Sequence, residues 1–494
     1  MSIYALFSII YSALAVPIER KVCLTVKNRS FISLKGSRTF IRGIEVFFEV
    51  GVLTVLYYFV WRFGYEAENF PQYLGFGKYV LMGVYGILAA ITFKCFDSFQ
   101  FGHLRLTDIV VSQVIALVIV NFIAYFQLSL IANKLICVIP MLILMLLQTV
   151  VIVVLPYIYS AIFHRIYRAH KMIMVCGRDC NASLKIKMES RPDKYRIHKI
   201  ITLDEGLDAI FAAVSEYDSV ILNDISAKVR NDILKFCYDR KIRTYVTPKL
   251  SDIMIRGSIE ICLFDTPLLL VRGSGLTFTQ SCLKRTMDIV LCLVAMVVAL
   301  PVMLVTAVAI KLDDGGPVFY KQKRVTLDGK IFEILKFRSM IVNAEAAGKS
   351  IPATDNDLRI TKVGKIIRAT RIDELPQIIN ILKGDMSIVG PRPERVEHVE
   401  KYTSEIPEFC YRTKVKGGLT GYAQIYGKYN TTAYDKLRLD LMYIENYSIM
   451  LDIKLILLTL RVIFKKESTE GFDKVVSTQK IDEVTESSAS AEVE

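Results

Sequence analysis

Charged side chains are scarce in this sequence, and long hydrophobic runs take their place. Only 22% of the 494 residues are charged, whereas 53% are hydrophobic and the mean hydropathy is +0.39. This composition excludes wholesale disorder, a collagen-like repeat and an ordinary soluble enzyme, and it indicates a membrane protein. At roughly 150 residues per domain, the length predicts about three domains.

Acidic side chains are scarcer than basic ones. The chain has 62 Lys and Arg residues against 49 Asp and Glu residues, which gives a net charge of +13. An excess of this sign suits an anionic membrane surface or a phosphate-rich ligand. We therefore expect the soluble parts of the protein to face a negatively charged partner.

Histidines are few, and the cysteines do not follow the spacing of a disulfide framework. The sequence has five histidines and ten cysteines, of which Cys176 and Cys180 form the only close pair. We therefore predict small buried cysteines in a reducing compartment rather than a structural metal site.

A G-x-G-x-x-G loop is missing from a segment that otherwise has the pattern of an α/β domain, residues 171–275. Predicted strands at 172–176, 219–222 and 243–246 are separated by predicted helices at 206–215 and 227–240. The order predicts a small doubly wound fold, but the first turn reads Gly177-Arg-Asp-Cys-Asn, so dinucleotide binding is unsupported. We interpret this α/β module as structural or regulatory.

Four apolar segments are long enough to cross a membrane, within a predicted transmembrane domain of residues 44–170. They cover residues 44–61, 79–96, 109–130 and 135–163. Basic residues crowd the predicted cytoplasmic segment 1–43 and follow the fourth apolar run, which places both ends of the block in the cytoplasm. The short apolar run 3–16 is either an interfacial segment or a wrongly chosen start, and less readily a cleaved signal peptide.

A fifth apolar run, residues 287–310, differs from the other four. Lys284 and Arg285 precede it, Asp288 lies just inside, Pro301 lies past its middle, and Lys311 follows it. Basic residues at both ends and a helix-breaking proline predict a re-entrant helix, residues 284–311, that returns to the same face. The alternative is a kinked fifth crossing, which would place everything after Lys311 outside the cell.

The informative motifs come after that helix. They are Leu335-Lys-Phe-Arg-Ser-Met340, Thr370-Arg-Ile-Asp-Glu-Leu-Pro-Gln377, Gly384-Asp-Met-Ser-Ile-Val-Gly-Pro-Arg-Pro-Glu394 and Lys416-Gly-Gly-Leu-Thr-Gly421.

Asp373 and Glu374 precede a predicted helix, residues 375–382, for which Asp373 is an N-cap candidate. A carboxylate held ionised there suits nucleophilic attack or Mg²⁺ binding, although an ordinary cap and a solvated acid would give the same pattern.

Four basic residues of these motifs are candidate phosphate ligands: Lys336, Arg338, Arg371 and Arg392. A basic surface that grips lipid headgroups is the alternative. The Gly390-Pro391 sequence predicts a stiff loop around Arg392. Gly417, Gly418 and Gly421 would permit close backbone approach, or would form a plain loop.

Together, the motifs resemble the large monotopic phosphoglycosyl transferases, also called polyprenyl-phosphate hexose-1-phosphate transferases or bacterial sugar transferases. The resemblance covers residues 283–466, and the four-helix block and the α/β module are similar to the family's larger members. One departure is Gly417-Gly418, where the family usually has Pro-Gly. The implied fold is a membrane protein of mixed α and α/β class. It has a four-helix transmembrane block, a degenerate Rossmann-like module, and a mainly helical monotopic catalytic domain, residues 276–466, with a re-entrant helix. A disordered acidic tail, residues 467–494, comes last.

The resemblance implies a ping-pong transfer of hexose 1-phosphate from a UDP-sugar to polyprenyl (undecaprenyl) phosphate. Asp373 would attack the β-phosphate and expel UMP, and Asp373 with Glu374 would hold Mg²⁺. Lys336, Arg338, Arg371, Arg392, Lys284 and Arg285 would bind substrate. The implied structural residues are Asp288, Pro301, Gly390, Pro391, Gly418 and Gly421.

The resemblance implies a multi-pass protein of the bacterial inner membrane with its catalytic domain on the cytoplasmic face, acting in exopolysaccharide, capsule or O-antigen assembly. We expect an anionic membrane surface as a partner and no nucleic acid; the sugar and homodimer formation stay open. The rival functions are a membrane scaffold or sensor of polysaccharide export and a membrane-anchored nucleotide-sugar dehydratase, which would need the missing dinucleotide loop.

Overall fold

The computed structural model describes residues 31–65, 76–99, 106–166, 170–177, 183–189, 194–273, 275–342, 357, 359–427 and 431–463. The predictions for the apolar run 3–16, for the tail 467–494 and for most of segment 1–43 lie outside the described residues. The chain divides into two compact units. The first contains Met1–His170 and Asn231–Arg243, and the second contains Lys171–Arg230 and Thr244–Glu494.

The first unit is built on four long apolar helices. They are α1 (Phe31–Gly64), α2 (Gly77–Cys95), α3 (Leu106–Ile131) and α4 (Ile139–Ile166). Each helix packs against the next one along the chain, and α1 also packs against α4. All four are long and apolar enough to cross a membrane, and a fifth such helix lies in the second unit.

A buried polar network joins these helices. Tyr85 of α2 donates to the side-chain oxygen of Asn121 on α3 (2.9 Å), and Asn121 donates to Gln148 on α4 (2.9 Å). Gln148 in turn donates to the main-chain oxygen of Leu53 on α1 (3.0 Å). Because polar groups in an apolar environment need partners, this network fixes which helix faces meet.

The α/β module has a four-stranded sheet in the order β2–β1–β3–β4. Its elements are β1 (His170–Cys176), α5 (Ser183–Glu189), β2 (Tyr195–Thr202), α6 (Leu207–Val214), β3 (Ser219–Asn223), α7 (Ala227–Asp239), β4 (Arg243–Val246) and α8 (Leu250–Arg256). The three predicted strands are present, and β1 pairs with β3 in parallel. Cys176 belongs to a disulfide, so the prediction of cysteines in a reducing compartment was wrong there. Cys137, Cys262, Cys282 and Cys410 are exposed, so the prediction of burial was wrong for these four.

An antiparallel hairpin, β5 (Ile259–Leu263) and β6 (Thr266–Leu270), comes after the sheet and was not predicted. Every residue of both strands is exposed, and Phe264 at the turn is 96% exposed. Helix α8 packs against a later part of the second unit, since its Leu250 and Ile253 share a core with Phe409.

The apolar helix of the second unit is α9 (Phe278–Asp314). Thr277 caps its start and Gly315, in the left-handed conformation, ends it. The helix runs through Pro301 as one element, so the predicted break in helical structure at this proline was wrong.

A mixed α and β layer packs on α9. Its elements are β7 (Phe319–Val325), β8 (Ile331–Phe337), α10 (Lys362–Ala369), α11 (Gln377–Lys383), β9 (Ser387–Val389), α12 (Val396–Glu405), β10 (Gly418–Thr420), α13 (Tyr422–Tyr426), α14 (Ala433–Glu445) and α15 (Ile449–Ile463). Cys292 and Met303 of α9 share a core with Phe337, Ile378 and Ile381, which places β8 and α11 against the long helix.

Candidate active site

The centre of the site is the carboxylate of Glu374. Its Oε1 accepts one hydrogen bond from Lys336 Nζ and one from Arg392 Nη2, each at 2.9 Å. The Glu374 side chain is 13% exposed, Lys336 is 19% exposed and Arg392 is 41% exposed. Burial opposes ionisation of Glu374, but Arg392 and Lys336 outweigh it and hold its pKa well below the usual range. Lys336 and Arg392 balance the two neighbouring acids Glu374 and Asp373, and Arg371 and Arg368 add positive charge beside Asp373.

Asp373 lies next to Glu374 in the chain but is held differently. Its Oδ1 is buried and has no hydrogen-bond partner among the described residues. Burial raises the pKa of Asp373, while the nearby Lys336 ammonium opposes the rise. A carboxylate oxygen without a donor keeps its lone pairs free, which is what a nucleophile or a metal ligand requires.

The backbone that presents the two acids is a short 3-10 turn, Ile372–Glu374. It begins at Arg371, whose φ of 58° is in the left-handed region that side chains rarely adopt. The next helix, α11, is capped by Pro376, so the expectation that Asp373 is its N-cap was wrong. Pro376 has no amide hydrogen, and a sharp turn before it places the acids ahead of the helix rather than on its first amides.

Asn380 ties α11 to the strand that carries Lys336. Its side-chain oxygen accepts from the Leu335 amide at 2.9 Å, and its side-chain nitrogen donates to the Glu333 oxygen at 2.8 Å. Asn380 is 2% exposed. These two bonds fix β8 relative to α11, and with it the position of Lys336 relative to Glu374.

The other two predicted phosphate ligands lie in different surroundings. Arg338 is 7% exposed and pairs with Asp314 at the end of α9. The side chain of Arg371 is exposed. The structure therefore brings Lys336 and Arg392 together on Glu374 and leaves Arg371 towards solvent.

The basic pair at the start of α9 is bound within the protein. Lys284 is 5% exposed, and its Nζ contacts Asp452 at 2.6 Å and Tyr443 at 3.1 Å. Arg285 donates to the main-chain oxygens at the end of α11, Ile381 (2.6 Å) and Leu382 (2.7 Å). Both were expected to bind substrate; in this structure both anchor α9 to the site-bearing layer.

Asp288 also anchors α9. Its carboxylate accepts from the Ser387 hydroxyl at 2.7 Å and from the Ile388 amide at 3.2 Å. Asp288 is 2% exposed, and the residues that it holds begin the strand that leads to Gly390 and Arg392.

The glycines of the last two motifs are required by close backbone approach. β9 and β10 pair in parallel, and the Gly390 amide donates to the Thr420 oxygen at 2.8 Å. A Cβ on Gly418 or on Gly421 would overlap the backbone of Gly390. The Gly418 amide also donates to the Pro391 oxygen at 2.9 Å, so these chains together form the base of the Arg392 loop.

The position of Gly417 requires both an amide hydrogen and the absence of a side chain. Its amide donates to the Thr326 hydroxyl at 3.0 Å, and a Cβ there would lie 2.7 Å from Cγ of Pro393. A proline would lose the donor and would crowd Pro393. Glycine instead of the usual proline at position 417 therefore fits the Thr326 hydroxyl and the Pro393 ring beside it.

We expect Gly417→Pro to destabilise this chain although proline is usual in the family at this position. Losing the hydrogen bond costs about 1 kcal/mol and the crowding about 1–3 kcal/mol. Thermal unfolding of the purified protein measures the difference, with Gly273→Pro as a control because nothing lies within 4 Å of a Cβ placed at Gly273. Equal unfolding temperatures for Gly417→Pro and the wild type would contradict the expectation.

Three residues near the site were not predicted. Arg368 lowers the pKa of Asp373 through its charge. It lies three residues before Arg371, and the basic residues of this stretch could have indicated it as a site residue. Arg412 is 5% exposed and donates to the Arg392 oxygen at 2.9 Å, and Asp440 pairs with Arg412. Neither lies in a recognised motif.

The acceptor oxygens of this site can be compared with what Mg²⁺ needs. Among the described residues, no group of three or more His, Cys, Asp and Glu side chains could hold a metal ion. Mg²⁺ is usually bound by one or two carboxylates together with substrate phosphates, and the buried, unpartnered Oδ1 of Asp373 fits such a role. The residues present therefore fit a metal that arrives with its substrate.

Comparison with known proteins identifies the family. A family model described as "Bacterial sugar transferase" matches residues 279–466. The UDP-glucose:undecaprenyl-phosphate glucose-1-phosphate transferase of Klebsiella pneumoniae is 39% identical over 258 residues, 51% of this chain and 54% of that protein. The UDP-N-acetylgalactosamine-undecaprenyl-phosphate N-acetylgalactosaminephosphotransferase of Aeromonas hydrophila is 46% identical over 184 residues, 37% and 43% of the two chains. This chain spans about half the length of these two relatives.

A shorter relative is matched almost throughout. The uncharacterized sugar transferase EpsL of Bacillus subtilis (strain 168) is 37% identical over 195 residues, which are 40% of this chain and 94% of that protein. The region matched by the family model, residues 279–466, contains all of α9 after its first residue and the acids and bases around Glu374. The chain belongs to the bacterial sugar transferase family.

Proposed function

We propose that this protein transfers a sugar 1-phosphate from a UDP-sugar to polyprenyl phosphate, with UMP and a polyprenyl-diphospho-sugar as products. The reaction would be the first membrane step of exopolysaccharide, capsule or O-antigen assembly. One observation carries the proposal. Asp373 has a buried oxygen without a hydrogen bond, and it lies next to Glu374, whose carboxylate contacts both Lys336 and Arg392.

The first step uses Asp373 as a nucleophile. Its Oδ1 attacks the β-phosphorus of the UDP-sugar, and the bond from that phosphorus to the bridging oxygen breaks. UMP leaves with that oxygen, and the sugar phosphate stays on Asp373 as an acyl phosphate. In the second step an oxygen of polyprenyl phosphate attacks the same phosphorus and releases the Asp373 carboxylate.

The side chains around Glu374 supply charge stabilisation. Lys336 and Arg392 balance Glu374 and the ionised Asp373, and the further positive charge of Arg371 and Arg368 would favour binding of the diphosphate. Glu374 orients both donors. Arg371 lies where it can reach a phosphate from the solvent side, and Arg338 acts through its pair with Asp314.

Asp373 and Glu374 would hold Mg²⁺ together with the substrate phosphates. When bound, the metal neutralises charge on the diphosphate and on the departing UMP.

Activity should fall as the pH is lowered through the raised pKa of Asp373, because only the ionised carboxylate attacks. The acid limb of UMP release is expected above the ordinary Asp pKa of about 3.9. Burial raises this pKa and Lys336 lowers it, so Lys336→Met should move the acid limb to higher pH. Single-turnover UMP release measured across pH checks both. An acid limb that does not move in Lys336→Met would contradict the assignment.

The membrane arrangement is dictated by the two substrates, because a water-soluble UDP-sugar and a lipid phosphate meet only at the interface. We propose that α9 enters the membrane and returns at Pro301, with the catalytic domain at the cytoplasmic face of the inner membrane.

Two native cysteines test this topology. Cys137, between α3 and α4, and Cys410, in the catalytic domain, are both exposed. In right-side-out vesicles an impermeant maleimide should label Cys137 and should label Cys410 only after permeabilisation. Labelling of both in sealed vesicles would indicate a fifth crossing. Peptide mapping separates the two sites.

UMP release from a panel of UDP-sugars tests the function itself. Purified protein with Mg²⁺ and no lipid should release about one UMP per enzyme from its own substrate, and polyprenyl phosphate should convert this burst into turnover. UDP-glucose, UDP-galactose and their N-acetylated analogues cover the sugars that the relatives' names suggest. A scaffold would release no UMP from any of them, and a dehydratase would alter the sugar without releasing UMP.

A further inference from the structure

Arg392 lies in a loop that is held on both sides: the Pro391 oxygen accepts from the Gly418 amide at 2.9 Å, and the Pro393 oxygen accepts from Arg324 Nη1 at 3.1 Å. Pro391 and Pro393 flank it, and neither has an amide hydrogen. A small cavity borders the loop, lined by both prolines and by Arg412. Between the bonds to the Pro391 and Pro393 oxygens, the contact to the main-chain oxygen of Arg392 fixes the point from which its side chain extends.

The contact to the main-chain oxygen of Arg392 itself comes from a buried guanidinium. Arg412 lies in the 3-10 turn Pro407–Lys414 and is 5% exposed. Its Nη2 donates to the main-chain oxygen of Arg392 at 2.9 Å and lies 2.8 Å from the carboxylate of Asp440. Asp440, on α14, is 1% exposed.

Further charged groups surround this pair. Arg412 Nη1 lies 3.7 Å from Glu394, and Lys436 Nζ lies 3.9 Å from the same carboxylate. Two cations thus face the two acids Asp440 and Glu394, with Arg324 and Arg392 beyond Glu394. Because a buried guanidinium without an acid would be costly, Asp440 holds Arg412 in the orientation in which it reaches the Arg392 oxygen.

We propose that Arg412 and Asp440 are positioning residues that fix the Arg392 backbone and thereby hold its guanidinium on Glu374. The inference rests on the proposed function and adds to it a support outside the recognised motifs. Neither residue touches the Glu374 carboxylate; both act through Arg392.

The acid of this pair, Asp440, also makes the positioning depend on pH. Burial raises the pKa of Asp440 to about 6, against the opposing charge of Arg412. Below that pH Asp440 is neutral and the orientation of Arg412 weakens. The apparent KM for the UDP-sugar should then rise as the pH falls through about 6.

The test uses the full-length protein and single-turnover UMP release. Arg412→Lys keeps the charge but has one nitrogen in place of two, so it cannot face the Arg392 oxygen and Asp440 from Nη2 while it also faces Glu394 from Nη1. It should slow UMP release by about 10- to 100-fold, the loss expected from a displacement of about 1 Å. Arg438→Lys is the matched control: Arg438 is a half-buried guanidinium on the same helix as Asp440 that pairs with Asp435 instead, and its loss should change the rate less than about twofold.

A second variant separates positioning from mere stability. Asp440→Asn should remove the change in KM near pH 6. In an Arg392→Ala background, Asp440→Asn should change the rate of UMP release by less than about twofold, because the guanidinium that Asp440 helps to position is already absent. The thermal unfolding curve of each variant, recorded with and without UDP-sugar, gives the fraction of protein that is folded at the assay temperature.

The outcomes are distinguishable. Wild-type rates per folded Arg412→Lys protein, an unchanged pH dependence of KM in Asp440→Asn, or additive effects with Arg392→Ala would each overturn the positioning role while leaving the proposed function intact. A wild-type protein that releases no UMP from any UDP-sugar would overturn both proposals.

Discussion

Replacing Asp373 by Asn is expected to abolish sugar-phosphate transfer while leaving the protein folded. The amide has nearly the same shape as the carboxylate, and Oδ1 has no donor to lose among the described residues. An amide oxygen is a poor nucleophile, so both the UMP burst and turnover should fall by at least about three orders of magnitude. Radiolabelled UDP-sugar assays measure both quantities.

Asp328→Asn is the matched control for this change. Asp328 is exposed, and its φ of 53° is in the left-handed region, which Asn tolerates well. Its turnover should equal that of the wild type. Substantial turnover by Asp373→Asn would remove Asp373 from the role of nucleophile.

Breaking the buried pair at the start of α9 is expected to have the largest effect on stability. Lys284 and Asp452 lie 2.6 Å apart, with side chains 6% and 0% exposed. Asp452→Leu would leave the Lys284 ammonium buried without its acid, which costs about 3–5 kcal/mol. Thermal unfolding in detergent measures the loss.

A double variant and a surface pair serve as controls for that prediction. Lys284→Met combined with Asp452→Leu removes both charges and should recover most of the stability. Glu333→Gln breaks an exposed pair with Lys321 and should cost about 0–1 kcal/mol. If Asp452→Leu unfolds at the wild-type temperature, the pair does not hold α9 in place.

The sequence predicted three of the four strands of the α/β module and missed β2. β1, β3 and β4 are compact runs between turn residues, and their predicted positions match the structure closely. β2 and β4 are the two edge strands, so the position in the sheet does not explain why only β2 was missed. The sequence of β2, Tyr-Arg-Ile-His-Lys-Ile-Ile-Thr, interrupts its apolar residues with polar ones, and this hydrophobic pattern was too weak to reveal a strand.

The motifs identified the residues of the site but not their partners. Glu374 lies 38 residues from Lys336 and 18 residues from Arg392, and nothing local shows that both cations converge on it. The sequence also did not show which group the Lys284 side chain contacts. A basic residue beside an apolar run can face lipid phosphate or an internal acid, and the acid here lies 168 residues away.

The most direct test of a covalent mechanism is mass spectrometry of the protein mixed with UDP-sugar and quenched before lipid is added. We expect a mass increase equal to one sugar phosphate, on the peptide that contains Asp373, and its disappearance when polyprenyl phosphate is supplied. A protein that releases UMP while its mass stays unchanged, or an adduct on any other residue, would contradict the account.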